Sequence, residues 1–183
     1  MTYSPPDLDS AAVRRILMAS EAHKTRWRTD GGPGHAYVRH VSITNSKLWD
    51  RTREVRNGEI ALRTAFISPN QQIEAACETL NGVQGKWARA QLFQGESSDK
   101  FPKGSHNGME ATILHSGSPR FLRYAGGAGM MPISDYLMVL LRDDDLPESL
   151  FVKTFYGTML DDAPPPRPVT VFGRNRKLFA QGP

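Results

Sequence analysis

Ser68-Pro69-Asn70-Gln71-Gln72-Ile73-Glu74-Ala75-Ala76-Cys77-Glu78-Thr79-Leu80-Asn81-Gly82 reads as one complete helix, and it is the last clear helical signal before the chain changes character. Ser68 supplies a capping hydroxyl, and Pro69 sits at the first helical position, where its missing N–H costs nothing. Ile73, Ala76, Cys77 and Leu80 fall on one face, and Gly82 is placed as the stop. Past Trp87 the period shortens to two. Ala111 to His115, Phe121 to Tyr124, Tyr136 to Leu141 and Leu150 to Tyr156 read as strands separated by Gly, Pro and Asp clusters. Upstream, Asp9 and Ser10 are placed to cap a helix reaching about Trp27. A second helix starts at Thr44 or Asn45, carries Leu48, Trp49, Thr52 and Val55, and ends before Asn57-Gly58. Helices followed by a run of strands predict an α+β fold with an antiparallel sheet.

With 183 residues, 39% hydrophobic and 23% charged, the composition is that of a globular chain able to bury its own core without staples. One cysteine, Cys77, excludes an internal disulfide, and its spacing from Ile73 and Leu80 makes it a buried small hydrophobe rather than a catalytic thiol. No run approaches the roughly 18 apolar residues of a membrane span. The N-terminus lacks the charged-then-apolar layout of a secretory signal, so export is expected to need a dedicated machine or a larger fusion.

Net charge is +4, unevenly spread. Residues 1–63 hold eleven Lys or Arg against seven acids, residues 142–163 are acidic, and the last twenty have four basic residues and no acid. Such a distribution suits a nucleic-acid partner, and it equally suits an ordinary solvated surface. Asp143-Asp144-Asp145, followed by Leu146-Pro147-Glu148, reads as a turn between strands rather than a metal site. The stretch Asp161 to Pro168 reads as a stiff linker. The residues after it read as a basic tail, a candidate to lie outside the fold.

Cleavage of RNA by its own 2′-hydroxyl requires a group to take that proton, a cation or donors for the phosphorane, and an acid for the departing 5′-oxygen. Histidine titrates nearest neutrality, and the chain has five: His23, His35, His40, His106 and His115. His40 ends a short alternating stretch, and Arg51 follows eleven residues later on the second helix, where a guanidinium suits a phosphate. Thr154 and Tyr156 are two apart in a strand and share a face, with Phe155 on the other. Taken singly, each of these is also an ordinary structural residue. His35, five residues from His40 beside a glycine-rich bend, reads as a stand-in for a second histidine, whereas His115 ends a strand and reads as a surface residue. Lys86, Arg89, Arg120 and Arg123, interleaved with Trp87, Phe121 and Tyr124, form a modest stacking-and-charge pattern of the type RNA grooves use. Gly126-Gly127-Ala128-Gly129 lacks the Gly-Lys-Ser/Thr of a phosphate loop and reads as a mobile loop. No Cys/His cluster or His-Glu-x-x-His spacing occurs, so neither a catalytic zinc nor another cofactor is expected.

Arg39-His40-Val41, Arg51, Thr64-Ala65-Phe66 ahead of the Ser68-Pro69 helix, and Thr154-Phe155-Tyr156 in the last strand occur in an order that resembles the bacterial RNase A-like toxin domains. Those domains lie at the C-termini of contact-dependent inhibition and other polymorphic toxins. The likeness spans roughly residues 34 to 158. Gln94 to Gly108 is longer and more polar than the pattern, and Thr64-Ala65-Phe66 matches it only approximately. The resemblance implies an RNase A-like α+β fold without disulfides, with a catalytic domain at 34–160. Before it would stand an N-terminal helix and linker at 1–33, and after it a Pro-rich linker and basic tail at 161–183. It further implies His40 as general base or acid, Arg51 as phosphate clamp, and Thr154 and Tyr156 as the remaining donors. Arg39, His35 and Arg123 would contact the substrate. The implied activity is metal-independent endoribonuclease cleavage to a 2′,3′-cyclic phosphate, in a toxin acting in the target-cell cytoplasm and neutralised by a cognate immunity protein. Two other classes fit the same residues: a nucleic-acid-binding module without catalysis, and an adaptor docking through Pro164 to Pro168.

Overall fold

Helices on one side and a twisted antiparallel sheet on the other share a single hydrophobic core in the computed structural model, which describes residues 4–22, 37, 40, 41, 64–94, 109–124, 129–158, 169–172 and 178–183. Among these, the elements in chain order are α1 (Ser10–Ala22), β1 (Thr64–Ala65), α2 (Pro69–Asn81), α3 (Val83–Gln94), β2 (Glu110–Tyr124), β3 (Met130–Arg142), β4 (Leu150–Thr158), β5 (Val169–Phe172) and β6 (Leu178–Gly182). The six-stranded sheet runs β4-β3-β2-β5-β6, with β1 paired to the far end of β2, and every ladder is antiparallel. One isolated parallel bridge joins Val41 to Phe66. The α+β class with an antiparallel sheet and no disulfide is therefore the one observed. No described helix is long and apolar enough to cross a membrane.

Local chemistry explains the helices. Ser68 is extended (φ −148°, ψ 158°) and its hydroxyl accepts from the Gln71 N–H at 3.2 Å, with Pro69 next in line. In α1 the cap is Asp9, whose carboxylate accepts from the Ala12 N–H at 2.7 Å. Val13, Ile16 and Leu17 of α1 and Ile73, Ala76 and Leu80 of α2 are buried against Ile113, Met138, Leu140 and Val152 of the sheet. Ser20 ties helix to sheet. Its buried hydroxyl donates to the Ile16 carbonyl at 2.7 Å and accepts the edge-strand N–H of Val152 at 2.9 Å.

Four sequence expectations change. The stretch after Gly82 is a further helix, α3, whose buried face is Gly85, Ala88, Arg89, Ala90 and Leu92 and so carries no large apolar stripe to read. Gly85 is required there, because a Cβ would lie 2.0 Å from the Thr79 carbonyl oxygen. The two strands expected at 111–115 and 121–124 are one strand, β2, with a register shift between Ser116 and Arg120. Glu78 of α2 holds that irregularity by accepting from the Ser118 N–H at 2.7 Å and from Arg120 at 2.8 Å.

His115 is not a surface residue. It is 8% exposed within β2, with Nδ1 3.4 Å from Gln84 Oε1 and Nε2 buried without a hydrogen-bond partner. Burial pushes its pKa below the ordinary value, Glu78 and Asp135 oppose that, and Arg120 adds to it. Finally, the stretch after Pro168 is not a tail outside the fold: β5 pairs with β2, β6 pairs with β5, Val169 and Val171 are buried, and Gly182 lies against the Trp87 indole. Core residues thus come from all three of the stretches 1–33, 34–160 and 161–183.

Asp143-Asp144-Asp145 forms the expected turn, with Leu146 N–H donating to the Asp143 carbonyl at 3.0 Å. The helix expected at 44–55, the extension of α1 to Trp27, His23, His106, the glycine-rich 126–128 and the linker 161–168 lie outside the described residues.

Removing residues 169–183 bares the β2 edge and empties Val169 and Val171 from the core. A scanning calorimetry comparison should show a lower Tm, at roughly 2–4 °C per kcal/mol lost; an unchanged Tm would show that these strands do not belong to the fold. The depressed His115 pKa means that, as pH falls below the unfolded value of about 6.5, the unfolded chain takes up a proton that the folded chain resists, so stability falls. His115→Gln should reduce the loss of urea midpoint between about pH 7.5 and about pH 5.5; equal losses in both proteins would contradict this.

Candidate active site

The sheet has two faces, and burial of Phe155 decides which residues stand on each. Phe155 lies in the core between Phe66 and Tyr136, with ring centroids 5.4 and 6.1 Å away. Period-two alternation therefore puts Thr154 and Tyr156 on the opposite face, about 7 Å apart along β4. Their ladder partners Val139 and Leu137 share that face, as does the small cluster of Leu141, Phe151 and Val139.

His40 reaches this face through backbone pairing. Its carbonyl accepts the Phe66 N–H at 2.7 Å, and Val41 bridges Phe66 in parallel, so His40 lies abreast of Ala65. Ala65 in turn pairs with Arg123. His40, Ala65 of β1 and Arg123 of β2 thus form a row, with the smallest side chain in the middle. The Thr64 hydroxyl closes the arrangement by donating to the Gly157 carbonyl at 2.5 Å, next to Tyr156. Gly157 permits the approach: a Cβ there would meet Leu122 Cδ2 at 2.6 Å and Ile133 Cγ2 at 3.0 Å. The outcome is that the His40 and Tyr156 rings sit with centroids 5.3 Å apart and planes inclined by 32°.

Among the expected site residues, the structure brings His40 and Tyr156 into contact, puts Thr154 on the same face, and sets Arg123 one strand beyond Ala65. Arg51, Arg39 and His35 lie outside the described residues. The Thr154 hydroxyl is buried and, among the described residues, has no hydrogen-bond partner. A buried hydroxyl left unpaired costs free energy. Sequence reading could not have supplied the Ala65 row, because the pairings that build it join segments far apart in the chain.

The other basic residues of the stacking-and-charge pattern are structural. Lys86 pairs with Asp7 at 2.6 Å, Arg89 is buried and donates to the Pro6 carbonyl at 3.0 Å, and Arg120 pairs with Glu78 at 2.8 Å and lies over the Tyr136 ring. Burial would raise the Glu78 pKa, but hydrogen bonds from Arg120 and Ser118 outweigh it and hold the carboxyl below its usual range. Burial raises the Tyr136 phenol, which stays a neutral donor to the Ser118 and Ile133 carbonyls. A groove of about 480 Å³ lined by Arg14, Arg15, Asn70 and Glu74 lies between α1 and α2, on the helical side of the sheet and away from His40. Among the described residues there is no cluster of three or more His, Cys, Asp or Glu side chains placed to hold a metal ion.

No protein-family model matches the chain, and no curated protein matches it. A solved structure does. It is the crystal structure of a CdiA-CT/CdiI complex from Y. kristensenii, one chain of which is similar at 20% identity and a TM-score of 0.44, over 69% of this chain and 100% of that one. At that similarity the likeness decides neither a reaction nor the residues that perform it.

Thr154→Val removes the unpaired hydroxyl while keeping the branched shape that packs in a strand. Its Tm should hold or rise, since an unsatisfied buried hydroxyl costs about 1–3 kcal/mol. A drop of several degrees would mean that the hydroxyl already has a partner in the free protein.

Proposed function

We propose that the His40 face is the active site of a metal-independent endoribonuclease of the RNase A-like toxin type. The observation that carries the reading is the contact of His40 with Tyr156 on the face that also presents the unpaired Thr154 hydroxyl. Imidazole and phenol meet there with the hydroxyl two residues along the strand, and in the proposed reaction each donates or exchanges a proton at a phosphate. RNA carries its own nucleophile, so the protein has to move protons and hold charge rather than attack the substrate itself.

In the proposed reaction the 2′-hydroxyl loses its proton as its oxygen bonds to phosphorus, and the bond from phosphorus to the 5′-oxygen breaks as that oxygen gains a proton. The products are a 2′,3′-cyclic phosphate and a free 5′-hydroxyl. His40 exchanges one of the two protons. Thr154 and Tyr156 donate to the phosphoryl oxygens or the leaving group, and Arg51, charged at any working pH, clamps the phosphate. Arg123, across Ala65 from His40, together with Arg39 and His35, contacts the RNA.

The toxin setting rests on the order of the four sequence motifs. It implies delivery by a dedicated machine or as part of a larger toxin, action in the target-cell cytoplasm, and a cognate immunity protein that is acidic where it covers the RNA-binding face.

His40→Ala should lower RNA cleavage by at least about 10²-fold, the scale of a lost proton-transfer group, with circular dichroism and Tm unchanged. Excess chelator should leave the wild-type rate unaltered. Full activity in the variant would reject His40 as catalyst, and loss of activity in chelator would reject the metal-independent reaction. Salt-sensitive RNA binding with no cleavage by the wild type would instead establish a binding module.

A further inference from the structure

β4 contains one residue more than β3 between the pairs Val139–Thr154 and Leu140–Val152, and that residue is Lys153. In a regular ladder Lys153 would oppose Leu140 and point its ammonium into the core. The bulge turns it outward instead. Its Nζ meets Glu110 Oε2 at 2.8 Å, and Glu110 stands opposite the buried Ala111, on the face that bears Thr154 and Tyr156. Tyr156, Thr154 and Lys153 therefore follow one another along β4, with the His40 ring beside Tyr156. The two side chains remain 33% and 28% exposed, so the ammonium is partly accessible to solvent on that face.

We propose that Lys153 binds the backbone phosphodiester next to the one cleaved, so that a single strand of RNA lies along β4. This rests on the ribonuclease reading above. A lysine ammonium is a compact point charge suited to a phosphodiester, and Glu110 holds it on the face of Thr154 and Tyr156 until RNA arrives. The bulge has a purpose under this proposal: it places a cation beside Thr154 on the face of Tyr156, where regular pairing would send Lys153 into the core. The position is specific for chain length, because a dinucleotide has only the scissile phosphate to offer.

The test is binding of 2′-O-methyl oligoribonucleotides, which lack the attacking hydroxyl, to the full chain and its variants. Lys153→Met should weaken a pentanucleotide about tenfold and reduce the slope of log affinity against log salt by about 0.7, the share of one phosphate contact on a single strand, while leaving a dinucleotide unchanged. Lys153→Arg should keep the wild-type affinity within about twofold, and Glu110→Gln should bind as tightly or more so. Unchanged pentanucleotide binding by Lys153→Met, equal weakening of both lengths, or the same loss in Glu110→Gln would overturn the proposal. Cleavage of unmodified RNA measured alongside separates the two readings. Cleavage without any effect of Lys153 on binding removes the subsite and keeps the reaction, whereas Lys153-dependent binding without cleavage keeps the subsite and removes the reaction.

Discussion

Burial of Phe155 between Phe66 and Tyr136 is the constraint on which the arrangement depends. Three aromatic side chains from three distant segments fill one volume, and each fixes the face of its own strand. Because strand side chains alternate, sending Phe155 inward sends Thr154 and Tyr156 outward; sending Phe66 inward does the same for Ala65 and, through the parallel bridge at Val41, for His40. A one-residue slip in β4 or at the bridge would bury the polar set and expose the core.

The helices serve that constraint from behind. Ser20 occupies an N–H of the β4 edge, and Glu78 fixes the irregular turn of β2 at Ser118 and Arg120. The network of Glu78, Arg120 and Tyr136 is satisfied internally. By contrast, the Thr154 hydroxyl on the other face is not. His115 Nε2 on the helical face is likewise buried without a hydrogen-bond partner among the described residues, so unmet hydrogen-bonding capacity occurs on both faces of the sheet.

Much of this was legible from residue order alone. The cap and stop of α2 at Ser68 and Gly82 are local chemistry, and the shared face of Thr154 and Tyr156 follows from strand periodicity. The rest required long-range information. Helix α3 escaped because its buried face, Gly85, Ala88, Arg89, Ala90 and Leu92, holds a single large apolar side chain. β2 looked like two strands because Ser116-Gly117-Ser118-Pro119 carries turn residues that are here tolerated by contacts with Glu78. The strands at 169–172 and 178–182 hide behind a Pro-rich stretch whose composition says linker. Lys153 was invisible for a different reason: alternation assigns it to the core, and only the register of β4 against β3 shows the bulge that reverses it. The contact of His40 with Tyr156 joins two ends of the fold and depends on the Ala65 pairing that no local pattern encodes.

The central claim is that this face performs transesterification on RNA, and the chemistry of the fragment ends tests it most directly. RNA digested by the wild-type protein should carry 2′,3′-cyclic phosphate at the 3′ ends and free hydroxyl at the 5′ ends, read by ligation requirements and mass spectrometry. Fragments bearing 5′-phosphate and 3′-hydroxyl would mean that water, and not the 2′-oxygen, attacks the phosphorus, and the roles assigned to His40, Thr154 and Tyr156 would fall with it.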